Sequence, residues 1–194
     1  MKVGILALQG AVGAHRRHLE RLGAATTEVR VPDDVCGIDA IVMPGGESTT
    51  MTRLIDTSGL RSVLSEALVA GMPVLATCAG MILLAREVLD GRPDQWSFGV
   101  LGVTVRRNAY GSQIASFEAD LEIPVLGPPP FRGVFIRAPV VEAVEPEVEV
   151  LATYEGRPVL CRRGPTVAAS FHPELTDDPR IHSLFLELIE RGGS

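Results

Sequence analysis

Pro73-Val74-Leu75-Ala76-Thr77-Cys78-Ala79-Gly80-Met81-Ile82-Leu83-Leu84 runs from an apolar strand through a cysteine set among small residues into an apolar helix. A strand without polar alternation is buried on both faces, the habit of parallel sheets covered by helices. Ala76, Ala79 and Gly80 are the small residues that a tight strand-to-helix elbow requires, because bulkier side chains would clash at the turn. A thiol at such an elbow leaves the sheet at its carboxyl end and faces the positive end of a helix, a setting that activates it. The same pattern, taken alone, also fits a cysteine that is simply a small core residue.

Reading outward from this stretch, the pattern repeats. Residues 2–8 are a short apolar run that ends in Gln9-Gly10, and residues 15–22 carry helical spacing through Leu19 and Leu22 before Gly23. Residues 26–31 are rich in β-branched side chains, and Ala40-Ile41-Val42-Met43 is fully apolar and stopped by Pro44-Gly45-Gly46. Residues 60–70 have helical periodicity and close on Gly71. After Gly99 the pattern changes to runs at 101–105, 114–123, 148–154, 158–161 and 167–171, with Gly127-Pro128-Pro129-Pro130 as a rigid corner and an amphipathic helix at 181–189. The expectation is an α/β fold, a mixed and mainly parallel sheet flanked by helices with antiparallel strands in the second half, forming a single domain over 1–194.

In open α/β sheets ligands bind beyond the carboxyl ends of the strands. Gln9-Gly10, Gly45-Gly46-Glu47-Ser48 and Cys78-Ala79-Gly80 follow the first, third and fourth strands, so all three are expected on one edge. The glycine loop at 45–49 offers backbone N–H groups to a developing oxyanion, with Ala79 N–H as the second donor. An ordinary glycine turn fits it too, whereas a phosphate loop is disfavoured by the lack of a following Gly-Lys-Ser/Thr and by Glu47. Near the C-terminus stands Ser170-Phe171-His172-Pro173-Glu174. In extended backbone residues two apart project the same way, so Glu174 is expected beside His172, holding its tautomer. A thiol, a base and an orienting carboxylate make a nucleophilic hydrolase site. By itself a His-Pro-Glu also fits a capped turn beside a solvated acid.

Net charge is −6 and the arginines are scattered, so the chain's field repels a phosphate backbone and nucleic acid is not expected as a partner. No apolar stretch reaches the roughly 20 residues of a membrane span, and the apolar start is read as a first strand rather than a signal peptide. Cysteines at 36, 78 and 161 have neither disulfide-framework nor zinc spacing, so a reducing cytoplasm and no metal are expected. Of 18 basic residues only Lys2 is a lysine, so imine chemistry, which needs a lysine amine, belongs to another chain.

The segments Pro44-Gly45-Gly46-Glu47-Ser48, Thr77-Cys78-Ala79-Gly80 and Phe171-His172-Pro173-Glu174, in that order, resemble class I (triad) glutamine amidotransferases, whose fold is flavodoxin-like. Leu6-Ala7-Leu8-Gln9-Gly10-Ala11-Val12, Arg107-Asn108-Ala109-Tyr110-Gly111 and Phe135-Ile136-Arg137-Ala138-Pro139 narrow the resemblance to the glutaminase subunits of pyridoxal 5'-phosphate synthase, over essentially the whole chain. That resemblance implies a triad of Cys78, His172 and Glu174. It implies L-glutamine binding by Gly46, Glu47, Ser48, Arg107, Ile136 and Arg137, and a place for Gln9 near the oxyanion hole and subunit interface. It also implies that ammonia passes to a synthase (lyase) partner subunit, with no cofactor of this chain's own.

Physical chemistry agrees in part, since an arginine clamps a carboxylate well and Glu47 suits the α-ammonium. Without the motifs, Arg107 and Arg137 read as plain surface arginines. Ala14, Ala76, Tyr110 and Ser112 depart from the family pattern. Three other readings stay open at this point: a glutaminase of another pathway, such as histidine or anthranilate biosynthesis; a cysteine hydrolase of the intracellular-protease type; and a non-catalytic module that binds glutamine. The narrowing segments, Ala79 where a histidine would follow the cysteine, and the complete triad speak against them in turn.

Overall fold

In a computed structural model, which describes residues 1–92, 94–107 and 116–192, the strand-to-helix stretch at 73–84 lies at the centre of the sheet. The elements in chain order are β1 (Lys2–Leu6), α1 (Val12–Arg21), β2 (Ala25–Val29), β3 (Ala40–Met43), α2 (Ser48–Thr57), α3 (Leu60–Val69), β4 (Val74–Thr77) and α4 (Ala79–Leu84). Then follow β5 (Ala85–Val88), β6 (Leu101–Arg106), β7 (Ser116–Leu121), β8 (Phe131–Ile136), β9 (Val140–Val144), β10 (Glu149–Tyr154), β11 (Arg157–Arg163), β12 (Thr166–Ala169) and α5 (Arg180–Gly192).

Seven strands form the main sheet in the order β10-β11-β12-β4-β3-β1-β2. From β12 to β2 every pairing is parallel, while β10, β11 and β12 pair antiparallel. The expected mixed, mainly parallel sheet with antiparallel strands in the second half is therefore observed. A small sheet β5-β6-β9 and a two-stranded ribbon β7-β8 stand apart from it.

Alternation along the strands divides the core in two, because successive side chains point to opposite faces. Ile41, Met43, Val74, Ala76 and Ala168 pack on the face covered by α2, α3, α4 and the small sheet. Val3, Ile5, Ala40, Val42, Leu75, Val167 and Ala169 pack on the other, with Leu19 of α1, Phe185 of α5 and Phe131 and Phe135 of the ribbon.

Element ends shift by a few residues from the sequence reading. Helix α1 begins at Val12 rather than at residue 15, because Gly10, with a φ of 94°, turns the chain directly into it. Strands β5, β8 and β9 were not expected. They belong to the peripheral sheets, where pairing partners rather than local pattern make the strand. Of the expected strand at 114–123, residues 116–121 form β7, and 114 and 115 fall outside the described residues.

Two glycines set how closely the central elements approach. A Cβ on Gly80 would lie 2.2 Å from the Met43 carbonyl oxygen, and one on Gly10 would lie 2.0 Å from the Gly45 carbonyl oxygen. In both cases the obstacle is backbone, which cannot swing aside. Gly13 is the contrast, for it is exposed and a Cβ there meets only the Arg17 guanidinium at 4.0 Å. Gly80→Ala is accordingly expected to destabilise the chain by about 2 kcal/mol or more, and Gly13→Ala to stabilise it by about 0.5 kcal/mol, both read from urea unfolding midpoints.

Candidate active site

Cys78 is the single residue between β4 and α4, and it holds a φ of 50° and a ψ of −108°. A side chain other than glycine in that region costs about 1–3 kcal/mol and persists only where its surroundings over-determine it. Here they do. The Cys78 amide donates to the Ala169 carbonyl at 2.8 Å and its own carbonyl accepts from Met81 N at 3.0 Å, so both flanks of the elbow are tied down. The thiol is turned toward the Ile136 carbonyl at 3.8 Å. Ala79 opens α4, so its N–H lacks an intrahelical acceptor and points out of the helix start.

His172 reaches the thiol from the end of β12. Its amide donates to the Val134 carbonyl at 2.8 Å, and Phe171, fully buried beside Phe131 and Phe135, anchors the preceding residue. The sequence-based expectation that His172 and Glu174 share one side of an extended strand is not met. Strand β12 ends at Ala169, and Pro173–Leu175 forms a turn of 3-10 helix. Proline presets the φ of a first helical residue, so the chain turns where the sequence pattern suggested that it continued. The turn still delivers the contact, His172 Nδ1 to Glu174 Oε1 at 2.7 Å.

Gly45 makes room for this pair. A Cβ there would lie 2.4 Å from His172 Cε1 and 3.2 Å from the Cys78 Cβ, so only glycine lets the β3 loop pass behind both side chains.

Burial alone would lower the His172 pKa. It is outweighed by hydrogen bonds to Cys78 and Glu174 and by their charges, which together push it up to about 10. Glu174 is itself buried, which raises a carboxyl, yet His15 and the hydrogen bond from His172 hold it below its ordinary value. At neutral pH the site therefore holds an imidazolium between the Glu174 carboxylate and the Cys78 sulfur.

The other expected residues surround a cavity of about 300 Å³ lined by Gly46, Glu47, Ser48, Cys78, Arg107, Ile136, Arg137 and His172, joined by Gly10, Ala11, Ile82 and Leu175. Glu47 caps α2 by accepting from the amides of Thr49 at 3.0 Å and Thr50 at 2.7 Å. Partial burial raises its pKa, but hydrogen bonds from the Thr50 hydroxyl and from these amides bring it down to about 2. Gln9 stands behind the loop rather than in the cavity lining, accepting from Glu47 N at 2.8 Å. A Cβ on Gly46 would strike that Gln9 oxygen at 2.7 Å.

Arg107 donates to Glu47 Oε1 at 2.8 Å, so these two charges are paired with each other across the cavity. Gln95 stands behind two of the lining residues, accepting from Arg107 at 2.6 Å and donating to the Ser48 hydroxyl at 3.1 Å. The rest of the 107–111 segment, with Tyr110 and Ser112, lies outside the described residues.

Gln95 and His15 were missed as site residues from sequence. Gln95 sits in an aperiodic stretch with no signal of its own. His15 did carry one, since it and His18 are polar side chains three apart on the buried face of α1, and His15 Nε2 lies 3.5 Å from Glu174 Oε2. Among the described residues no three His, Cys, Asp or Glu side chains are placed to hold a metal ion, and no helix is long and apolar enough to cross a membrane.

Comparison with known proteins bears on the family and the fold. The family model for the SNO glutamine amidotransferase family matches residues 5–191. The pyridoxal 5'-phosphate synthase subunit PdxT of Kosmotoga olearia is 51% identical over 189 residues, covering 97% of this chain and 98% of that protein. PdxT of Clavibacter michiganensis is 52% identical over 192 residues, covering 98% and 92%. A crystal structure described as a glutamine amidotransferase superposes with a TM-score of 0.90 at 48% identity, over 97% of this chain and 98% of the other. With a family model spanning all but the chain's ends and near-identical lengths among its relatives, this chain belongs to the SNO glutamine amidotransferase family.

Proposed function

We propose that the chain, acting as one domain, is the glutaminase subunit of a pyridoxal 5'-phosphate synthase, hydrolysing L-glutamine to L-glutamate and passing the ammonia to a synthase subunit. The observation that carries this reading is the array of Cys78, His172 and Glu174 at the edge of a cavity that also holds the ion pair of Arg107 and Glu47, a cation and an anion for an amino acid's two charged groups.

In this reading Cys78, its proton passed to His172, attacks the side-chain amide carbon of glutamine as a thiolate, and the C–N bond breaks as the tetrahedral intermediate collapses to the thioester. The oxyanion is held by backbone N–H groups of the Gly46 loop and Ala79. His172, already an imidazolium at neutral pH, gives its proton to the departing ammonia, then takes one from the water that releases glutamate from the thioester. Glu174 keeps Nδ1 of His172 protonated so that Nε2 faces the reaction. A free amino acid is a zwitterion, and it can replace the Arg107–Glu47 pair with two of its own, carboxylate to Arg107 and ammonium to Glu47. Ser48, Ile136 and Arg137 line the same wall. The lyase chemistry belongs to the partner, in keeping with a chain whose one lysine is Lys2.

Glutamate release by the purified chain, with and without the synthase subunit, tests the reading. Cys78→Ala is expected to abolish turnover, whereas Glu174→Gln leaves activity reduced by about 10²–10⁴, because it orients rather than transfers a proton. Retention of turnover by Cys78→Ala, or an inert wild type with its partner present, would show the mechanism to be wrong. Arg107→Ala is expected to raise KM for glutamine by about tenfold or more with a smaller effect on kcat, the pattern of lost ground-state binding.

The raised pKa of His172 also predicts a pH dependence of stability. A histidine bound more tightly to its proton in the folded state stabilises fully below its ordinary value of 6.5 and loses that contribution as pH rises through about 10. His172→Gln should therefore lower the urea midpoint more at about pH 6 than at about pH 10.5.

A further inference from the structure

Glu174 has two carboxylate oxygens, and the proposed mechanism uses one. Oε1 accepts from His172, while Oε2 is fully buried and makes no hydrogen bond of its own. The polar atom that faces it is His15 Nε2, 3.5 Å away on α1. His15 is 0% exposed, and its other nitrogen, Nδ1, lies 3.0 Å from Nε2 of His182 on α5. His182 is likewise 0% exposed and stacks on His18, with ring centroids 4.5 Å apart and planes 12° from parallel. His18 Nε2 lies 2.9 Å from the Thr176 carbonyl. Three imidazoles thus run from the buried side of Glu174 through the seam between α1 and α5.

Where the protons sit follows from the partners. A carbonyl only accepts, so His18 carries its proton on Nε2. For His15 and His182 there are two self-consistent arrangements. If His15 is protonated on Nδ1, it donates to His182 Nε2, and His182 must then carry its proton on Nδ1, a buried atom with no partner. That arrangement also turns a ring lone pair of His15 toward the Glu174 carboxylate, with only the Thr77 hydroxyl, 3.4 Å off, to bond it. If instead both rings are protonated on Nε2, His182 donates to His15 Nδ1 and His15 Nε2–H points at Glu174 Oε2. The atoms then left unpartnered, Nδ1 of His18 and of His182, are acceptors, which are cheaper to bury unpaired than N–H groups or a carboxylate facing a lone pair. The second arrangement is favoured on each count.

We propose that His15 is a positioning residue of the glutaminase site, directing Nε2–H at the buried oxygen of Glu174 while His182, through Nδ1 of His15, fixes the tautomer that places the proton there. The inference rests on the reading of Cys78, His172 and Glu174 as the glutaminase triad. Burial keeps His15 neutral, lowering its pKa to about 4 against the pull of Glu174, and keeps His182 neutral as well. His15 therefore acts as a fixed dipole rather than as a second cation competing with His172. With both oxygens of Glu174 facing imidazole donors, the carboxylate cannot rotate away from His172, and its anionic form is favoured inside the fold. This is the role that orienting partners play one step removed from a reacting group.

The test uses the chain with its synthase subunit and reads glutamine turnover for wild type, His15→Leu and His15→Gln. Leucine preserves the buried volume without a donor, whereas the glutamine amide can present N–H near the Nε2 position. His15→Leu is expected to lower kcat by about 10- to 100-fold with KM changed less than about twofold, and His15→Gln to recover most of the loss. A folded His15→Leu enzyme with wild-type kcat would overturn the proposal, and so would equal losses in both variants. A wild type lacking Cys78-dependent turnover would instead overturn the underlying glutaminase reading. Should His15→Leu not fold, ¹⁵N–¹H correlation spectra of wild type decide the matter at neutral pH. Nε2–H tautomers for His15 and His182 are expected, and an Nδ1–H tautomer at His15 would overturn the assignment.

Discussion

Backbone passing against backbone at the carboxyl edge of the sheet is the constraint on which the rest of the site depends. Gly80 at the start of α4 lies against the Met43 carbonyl, Gly10 after β1 lies against the Gly45 carbonyl, and Gly45 passes beneath His172 and Cys78. Each contact leaves no room for a Cβ. Together they draw the ends of β1, β3 and β4 close enough for one cavity to be shared by segments that are tens of residues apart. The strained φ of Cys78 is sustained by the same arrangement, because the elbow is bonded on one side to β12 and on the other to the first turn of α4. Strain that a flexible loop would release is kept here by a buried parallel sheet.

Charge in the cavity is organised by the same economy. Glu47 serves as helix cap, partner of Arg107 and acceptor wall of the pocket, and the helix amides that it caps are what hold it ionised. Glu174, buried behind His172, is held ionised by imidazoles instead. The two carboxylates thus stay anionic for different reasons, one by backbone donors at the rim and one by histidines in the interior. Next to Glu174, His172 is the group that keeps a proton through neutral pH, which suits the role of proton donor proposed for it.

Much of this was legible in residue order. The apolar runs at 40–43 and 73–77 gave their strands to within one residue, because a strand buried on both faces has no polar position to blur its ends. The glycine loop, the elbow and the His-Pro-Glu segment were identified from local pattern and met in one place. The second half was read less well. Strands β8 and β9 carry mixed patterns in peripheral sheets, and β5 follows α4 without a break, so neither periodicity nor turn chemistry marked them. The geometry joining His172 to Glu174 was assigned to a strand when Pro173 makes it a helical turn.

What the sequence alone determined was the α/β class, the sheet edge on which the three loops converge, and the candidates for thiol, base and orienting acid. Those follow from short-range pattern, which the chain carries within a dozen residues at a time. Tertiary structure alone decided which charges meet. It paired Arg107 with Glu47 across 60 positions, set Gln95 against both Arg107 and Ser48, and brought His182 against His15 across 167. Such partnerships depend on where whole elements dock, and a buried polar group records only that it needs a partner, not which one the fold supplies.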